Sequence, residues 1–254
     1  MRQIVLIALM LVPLGALAQV GTVRYTHTYP VLYSRYFAFR SVTSRALDEE
    51  FVGPSPHATV SRSMVFDTTA SLMYPTDKPA VEPKDRRASE GKEHIDTTYV
   101  DFGGGTFAES RVIGGDIYLV SDRQPAILWR LEGEERVYLD HRVMKATAVV
   151  DSAVVEAWFT PEIPIPAGPG LYGGLPGLIL MVTNPASGEV YAADSLTTGI
   201  PSRAIEPPTR GLEVSDNRYR RARVEEMAKD RRMWDEQIRL IEEGKVKVVR
   251  QRGQ

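Results

Sequence analysis

Residues 157–182 read AWFTPEIPIPAGPGLYGGLPGLILMV, an apolar stretch interrupted by five Pro and five Gly. Pro and Gly fix backbone angles that other residues rarely adopt, so a connection this rich in both is expected to be rigid despite its length. Strand-like sequence flanks it on both sides, and residues 178–182 form the most apolar of the predicted strands. The stretch therefore predicts two strands joined by a structured loop, with Leu178, Ile179 and Leu180 in a central strand. Gly174 and Gly177 are expected at backbone positions where a β-carbon would clash.

Short β-type runs fill most of the chain around this loop. In the first run Val23, Tyr25, His27 and Tyr29 alternate with polar residues, which is the period of a half-buried strand. Similar runs are found at 32–39, 60–66, 97–102, 106–113, 117–120, 127–131, 136–139, 146–150, 154–159, 178–182 and 190–194. No helical periodicity separates them, which favours antiparallel meanders over βαβ units. We predict a mainly β fold, either one curved antiparallel sheet or two packed sheets, followed by one long C-terminal helix.

Residues 1–18 read MRQIVLIALMLVPLGALA, a basic residue, an apolar run and small residues at Ala16 and Ala18. This pattern predicts an export signal that is cleaved before Gln19. The alternative, a membrane anchor, is disfavoured because the run is short and contains Pro13 and Gly15. No later stretch approaches the roughly 20 apolar residues that span a bilayer. We therefore expect a periplasmic or secreted protein without a transmembrane segment after cleavage.

The mature chain divides by composition into three parts. Residues 19–198 are the β-rich domain, with a flexible, Pro-rich and charged loop at 75–93. Residues 199–214 form a Pro-rich linker, and 215–254 form a charged helix and tail. That last part is rich in Arg, but Glu and Asp are interleaved throughout, so a salt-bridged, solvated helix is favoured over nucleic-acid binding.

No motif names a reaction. The chain has no Cys and four His, and none of the His lies at a metal-ligand spacing, so neither a metal nor another cofactor is expected. His27 is read as a satisfied core histidine, although His27 and His141 could meet if their strands were neighbours. Serine-nucleophile and nucleotide-binding motifs are absent from the sequence. Asp151, Glu156 and Glu162 are too weak a pattern for a carboxylate pair, so no catalytic residue is predicted.

Several motifs occur together in the middle of the chain. They are the Trp-containing run 127–131, Lys145-Ala146-Thr147, Ala157-Trp158-Phe159-Thr160, Ile163-Pro164, Gly168-Pro169 and Gly174-Leu175-Pro176-Gly177-Leu178-Ile179. In this order they resemble the GLPGLI family of exported envelope proteins, over roughly residues 23–193. The resemblance implies a β-rich exported protein with no agreed catalytic residue, whose gene is often found near those of outer-membrane receptors. Where members commonly have a Cys before the Lys-Ala step, this chain has Val143-Met144.

Three functions remain open at this level. The first is a non-enzymatic envelope module that binds an apolar ligand or an outer-membrane partner, with Trp158, Tyr172, Leu175 and Pro176 as the candidate surface. The second is a periplasmic hydrolase whose site residues are dispersed in the sequence. The third is that the GLPGLI segment only packs. Convergent polar groups with perturbed pKa values would favour the enzyme, and an apolar groove would favour the binding module.

Overall fold

The computed structural model of the chain describes residues 20–30, 57–76, 97–113, 116–186 and 188–243. The predicted export signal and the predicted strand at 32–39 lie outside these ranges, as does most of the predicted loop at 75–93. In the described part no helix is long and apolar enough to cross a membrane.

Twelve strands and one long helix make up the described fold. The strands are β1 (Gly21–Pro30), β2 (His57–Phe66), β3 (Ala70–Pro75), β4 (Thr97–Asp101), β5 (Thr106–Ile113), β6 (Asp116–Arg123), β7 (Arg130–Tyr138), β8 (His141–Val150), β9 (Ala153–Thr160), β10 (Leu178–Asn184), β11 (Glu189–Thr198) and β12 (Leu212–Val214), and the helix is α1 (Asp216–Glu242). The prediction of a mainly β chain with a long C-terminal helix is confirmed.

All twelve strands belong to one sheet, in the order β12-β6-β5-β4-β3-β2-β1-β11-β10-β9-β8-β7. The order contains two meanders of five strands, β2–β6 and β7–β11, and β1 joins them by pairing with both β2 and β11. Every pairing is antiparallel except that of β12 with β6. The fold is therefore one sheet with a single parallel pair at its edge, not two packed sheets.

The connection between β6 and β7 requires the sheet to be strongly curved. These strands are ten positions apart in the sheet order, which is about 48 Å in a flat sheet with strands about 4.8 Å apart. The chain from Arg123 to Arg130 has seven links and reaches at most about 25 Å. Since β7 and β12 are both edges and do not pair in the described part of the chain, the curved sheet stays open.

Two apolar clusters fill the inner face of the sheet. The larger one combines residues of β1–β3 and β8–β11 with the loop between β9 and β10: Val23, Tyr25, Met64, Phe66, Met73, Val143, Ala146, Val155, Ala157, Phe159, Ile163, Ile165, Ala167, Leu175, Leu178, Ile179, Leu180, Val182, Tyr191 and Ala193. The smaller one contains Val100, Phe107, Val120 and Val214, and Tyr219 of α1 packs against it. Leu171 of the loop between β9 and β10 also packs against the smaller cluster, so this loop contacts both clusters.

The segment predicted as a Pro-rich linker runs across the outer face of the sheet. The Gly199 amide donates to the Val20 carbonyl (2.8 Å), and the Arg203 guanidinium lies 4.8 Å from the centre of the Tyr74 ring on β3. Further along, the Ser110 hydroxyl is 3.5 Å from the Arg210 carbonyl oxygen. The segment ends in β12, so the last three residues of the predicted linker are part of the sheet.

Three details of the predicted strands differ from the structure. The predicted strands at 127–131 and 136–139, with a turn between them, form the single strand β7. Gly133 adopts a φ of 74° there and the pairing with β8 shifts register, so the expected turn is a β-bulge. β3 and β12 were not predicted, since ASLMYP lacks alternation and LEV is too short to show any.

Candidate functional site

The loop between β9 and β10, residues 161–177, lies on the inner face and is held by its own backbone. The Gly174 amide donates to the Pro166 carbonyl (3.0 Å), and the Leu178 and Ile179 amides donate to Ile163 (3.0 Å) and Ala167 (2.9 Å). Rigid loop geometry agrees with the expectation from its Pro and Gly content. Leu178, Ile179 and Leu180 that follow it are fully buried in β10, which lies between β9 and β11, so their predicted central position is confirmed.

Glycine is required at two positions of this loop for different physical reasons. A Cβ on Gly177 would overlap the Thr160 backbone carbonyl, so the expected clash at this position is confirmed. Gly174 was expected to show the same clash, and that expectation is wrong, because a Cβ there would meet nothing within 4 Å. Its φ of 84° is the cause instead, since side chains disfavour the left-handed region.

The four residues predicted as a ligand or partner surface do not form one surface. Leu175 is only 2% exposed and belongs to the larger cluster, so its side chain is part of the core. Pro176 is exposed, and Trp158 and Tyr172 are half-buried. Ala157 and Tyr191 both pair with Val182 and share the inner face, so Trp158 points to the other face. Tyr172 instead lies edge-on to the Tyr191 ring, 6.2 Å between ring centres.

Trp158 is covered by a cation. The Arg136 guanidinium of β7 lies 3.8 Å from the centre of the indole ring, and its Nη2 is 3.3 Å from the Met181 sulfur on β10. Beside it, the Lys145 ammonium is bound to the Glu156 carboxylate (2.6 Å). Trp158 is therefore an aromatic ring covered by a cation, with a half-buried ion pair on the neighbouring strands.

A different tryptophan contacts the loop. The Trp129 indole Nε1 donates to the Gly173 carbonyl (2.9 Å), which ties the connection between β6 and β7 to the GLPGLI segment. Next to Trp129, Leu128 is 88% exposed and Leu131 is 51% exposed. We call Leu128, Trp129 and Leu131 the Trp129 surface. The resemblance had pointed to the Trp-containing run, but nothing in the sequence placed it beside Gly173.

His27 lies at the centre of a buried polar cluster on the inner face. Its Nε2 donates to Glu189 Oε1 (3.0 Å), and its Nδ1 accepts from Arg62 Nε (3.2 Å). The Tyr191 ring stacks on the imidazole at 3.8 Å between centres and an interplanar angle of 6°. Both ring nitrogens are engaged and the residue is 6% exposed, so the prediction of a satisfied core histidine is confirmed.

Burial dominates the electrostatics of this cluster. It lowers the pKa of His27, with Arg62 and Arg111 adding to the effect and Glu189 opposing it. It raises the pKa of Tyr172 to about 12, and the neighbouring Glu189 carboxylate contributes. The pKa of Tyr191 is raised for the same reasons. At neutral pH all three side chains are therefore uncharged.

The other titratable groups weighed from the sequence are separate from this cluster. His141 pairs through Nδ1 with Glu162 (2.7 Å), and this hydrogen bond lowers the pKa of that carboxyl. β11, β10 and β9 separate the strands of His27 and His141, so these residues do not meet. Glu156 pairs with Lys145, and Glu162 with His141, so the two carboxyl groups have different partners. Among the described residues no three His, Asp or Glu side chains are grouped so that they could hold a metal.

An open depression of about 650 Å³ lies at the β4–β6 end of the sheet. Its lining includes Asp101, Asp122 and Arg123 together with Pro207. Tyr99, Phe107 and Ala108 line it as well, so the depression is open and mixed in character, not an enclosed apolar cavity.

The central segment of the chain resembles a known family, and its fold resembles solved structures. A family described as "Protein of unknown function (Porph_ging)" matches residues 130–181, from the start of β7 into β10. No curated protein matches the chain. A structure of PNGF-II in space group P21 is similar over 81% of this chain, with 15% identity and a TM-score of 0.52. A C2 structure of PNGF-II is similar over 80% of it, with 14% identity and a TM-score of 0.50.

The chain spans about a third of the length of these solved structures, 33% and 32% respectively. At this identity the likeness shows the fold alone. The central segment of the chain, which includes the GLPGLI residues, is thus similar to a family of unknown function, and the curved sheet is similar to part of PNGF-II.

Proposed function

We propose that this chain is an exported, non-enzymatic accessory module of the cell envelope, of the GLPGLI type, which binds an apolar segment of an outer-membrane protein through the Trp129 surface. The observation that carries the proposal is the exposure of Leu128 and Leu131 beside a tryptophan that is fixed to the GLPGLI loop. Exposed large apolar side chains on a rigid support are typical of a docking site. Export is supported by the pattern of residues 1–18.

A protein partner suits this surface better than a small apolar ligand does. A small ligand needs a concave site that buries most of its area, whereas Leu128 projects almost fully into solvent. The inner face, where a cavity could have formed, is filled by Ile163, Ile165 and Leu175 of the loop. The neighbourhood of outer-membrane receptor genes that the resemblance implies points to the same class of partner.

The polar cluster around His27 gives no support to the hydrolase alternative. Its groups converge and their pKa values are perturbed, which are two marks of a catalytic site. However, both imidazole nitrogens are bonded to Glu189 and Arg62, and Tyr191 covers the ring. A general base must reach a substrate proton, and this histidine has no ring atom left for it.

Site-specific photo-crosslinking in cells of the source organism tests the proposal. A photoreactive residue at position 128 should crosslink an integral outer-membrane protein, while one at position 200 should not. Ile200 is the matched control because it is apolar, 98% exposed and distant in the sequence from the Trp129 surface. Equal crosslinking from both positions, or none from 128, would contradict the proposal.

Purified components give the second arm. Burying a Leu side chain is worth about 1.5–3 kcal/mol, so Leu128→Ser should weaken binding to the crosslinked protein about tenfold or more. Ile200→Ser should leave the affinity unchanged. Fractionation and N-terminal sequencing check export, since the mature chain is expected to begin at Gln19.

A further inference from the structure

We propose that the open depression at the β4–β6 end of the sheet is a binding site for a saccharide. Its volume of about 650 Å³ lies within the range of small-molecule sites. Two rows of residues paired across β4, β5 and β6 line it: Tyr99, Ala108 and Ser121 in one row, and Asp101, Thr106 and Arg123 in the next. The site shares no residue with the Trp129 surface, so the inference is independent of the proposed function.

The depression lies on the outer face of the sheet. Phe107 is buried in the smaller cluster on the inner face, and successive side chains of a strand point to opposite faces. The side chains of Thr106 and Ala108 therefore point outward, together with the residues paired with them on β4 and β6. Since the Ala108 side chain ends at Cβ, it leaves a trough between the longer side chains of its row. Pro207, from the segment that crosses the outer face, also lines the depression.

Asp101 supplies a hydrogen-bond acceptor of fixed orientation. Its Oδ1 accepts from the backbone amides of Gly103 and Gly104, at 3.0 Å in both cases. These two bonds hold the carboxylate in place, while its Oδ2 has no hydrogen-bond partner among the described residues. A ligand hydroxyl can therefore donate to an ionised oxygen that is already positioned. Such a bond is stronger than one between two neutral groups.

Hydrogen-bond donors complete the two rows. The Arg123 guanidinium is exposed and forms no ion pair within the described part of the chain, so it can donate to ligand oxygens. Burial and the nearby Asp101 carboxylate raise the pKa of Tyr99, so its hydroxyl is protonated at neutral pH and can also donate. The hydroxyls of Thr106 and Ser121 can donate or accept. Saccharide hydroxyls do both as well, and the depression offers partners of both kinds.

Other classes of ligand fit this site less well. A wholly apolar ligand would leave the Asp101 carboxylate and the Arg123 guanidinium desolvated without partners. A phosphate group would meet two carboxylates, Asp101 and Asp122, against a single guanidinium. A saccharide ring instead has apolar C–H faces, which can pack on the Tyr99 ring and Pro207, and a rim of hydroxyls that reach the charged groups.

A printed array of neutral bacterial and plant oligosaccharides is the first probe of the purified protein. We expect it to retain at least one glycan, and an NMR titration with that glycan to shift the backbone amides of Gly104 and Ala108. Free amino acids and nucleotides, added as competitors, should not displace the glycan. An array without any bound glycan, displacement by these competitors, or shifts that avoid the depression would overturn the proposal.

Asp101→Asn is the decisive variant. Asn keeps the oxygen that accepts from Gly103 and Gly104, but it replaces Oδ2 by an NH2 group, which cannot accept. The thermal unfolding midpoint should therefore be unchanged, while the glycan affinity measured by calorimetry should fall about tenfold or more. Asp140→Asn is the matched control, because Asp140 is an exposed aspartate in the turn between β7 and β8, and its affinity should equal that of the unsubstituted protein.

Two substitutions of Tyr99 separate the contribution of the ring from that of the hydroxyl. Tyr99→Ala removes both and should weaken glycan binding about tenfold or more, whereas Tyr99→Phe keeps the ring and should weaken it less. If Tyr99→Ala does not fold, the Asp101→Asn result decides alone. Unchanged affinity in Asp101→Asn would refute this site even if the protein binds a glycan.

Discussion

The two five-stranded meanders of the sheet bury their inner faces in different ways. The β7–β11 meander is covered by the loop between its own strands β9 and β10, which supplies Ile163, Ile165 and Leu175 to the larger cluster. The smaller cluster of the β2–β6 meander is covered by Val214 and Tyr219, which follow β6 by some ninety residues, and by Leu171 of the same loop. The larger cluster is thus covered by a segment adjacent in sequence to its strands, whereas the smaller one is covered mainly by segments distant in sequence from its strands.

This difference indicates which regions contribute most to the free energy of unfolding. The residues matching a known family, 130–181, lie entirely in the β7–β11 meander and its loop. We therefore expect substitutions there to have the largest effects on the free energy of unfolding. Effects should decrease toward the smaller cluster and be least on α1.

The largest expected effect is that of Leu180→Ala in the larger cluster. Leu180 is fully buried, so the substitution should lower the free energy of unfolding by about 2–5 kcal/mol through lost burial and the cavity left behind. Leu178→Ala should behave alike. Val214→Ala in the smaller cluster removes about two buried methylene equivalents, worth about 1.5 kcal/mol. Urea denaturation midpoints measure all three, and a larger loss for Val214→Ala would invert the comparison.

Substitutions of two loop glycines test which positions of the loop contribute most to stability. Gly177→Ala places a methyl group onto the Thr160 carbonyl, which must shift, so a loss of about 1–3 kcal/mol is expected. Gly174→Ala meets no atom but must hold a φ of 84°, which costs about 1 kcal/mol. Thermal and urea unfolding of both variants should rank Gly177→Ala as the more destabilised. The opposite rank would mean that the backbone at Thr160 yields easily.

The sequence allowed strands β8 to β11 and the structured loop between β9 and β10 to be predicted, because alternation and Pro/Gly content are local signals. It also allowed the burial of His27 to be predicted from its place on the apolar side of β1. It did not allow the position of Trp129 beside Gly173 to be predicted, since that contact joins residues 44 positions apart through the curvature of the sheet.

Leu175 shows the reverse problem. Leu175 was predicted to be part of a ligand or partner surface, yet its side chain lies in the larger cluster. Burial of a loop residue depends on which face of the sheet the loop covers, and no local pattern specifies that face. β12 was not predicted for the same reason. Its three residues form a strand because the segment before them crosses the outer face and brings them to β6.

The smallest expected effect is on α1, where Glu226→Ala should change the free energy of unfolding by no more than about 0.5 kcal/mol. Glu226 pairs with Lys229 one helical turn away (3.3 Å), and the lysine side chain is largely exposed, so solvent already screens the pair. Glu236→Ala, which breaks the exposed pair with Arg239 (2.7 Å), serves as a matched second site. Urea midpoints at low and high salt should coincide with those of the unsubstituted protein for both variants. A loss comparable to that of Val214→Ala would show that the helix contributes more to the β2–β6 meander than its contact through Tyr219 suggests.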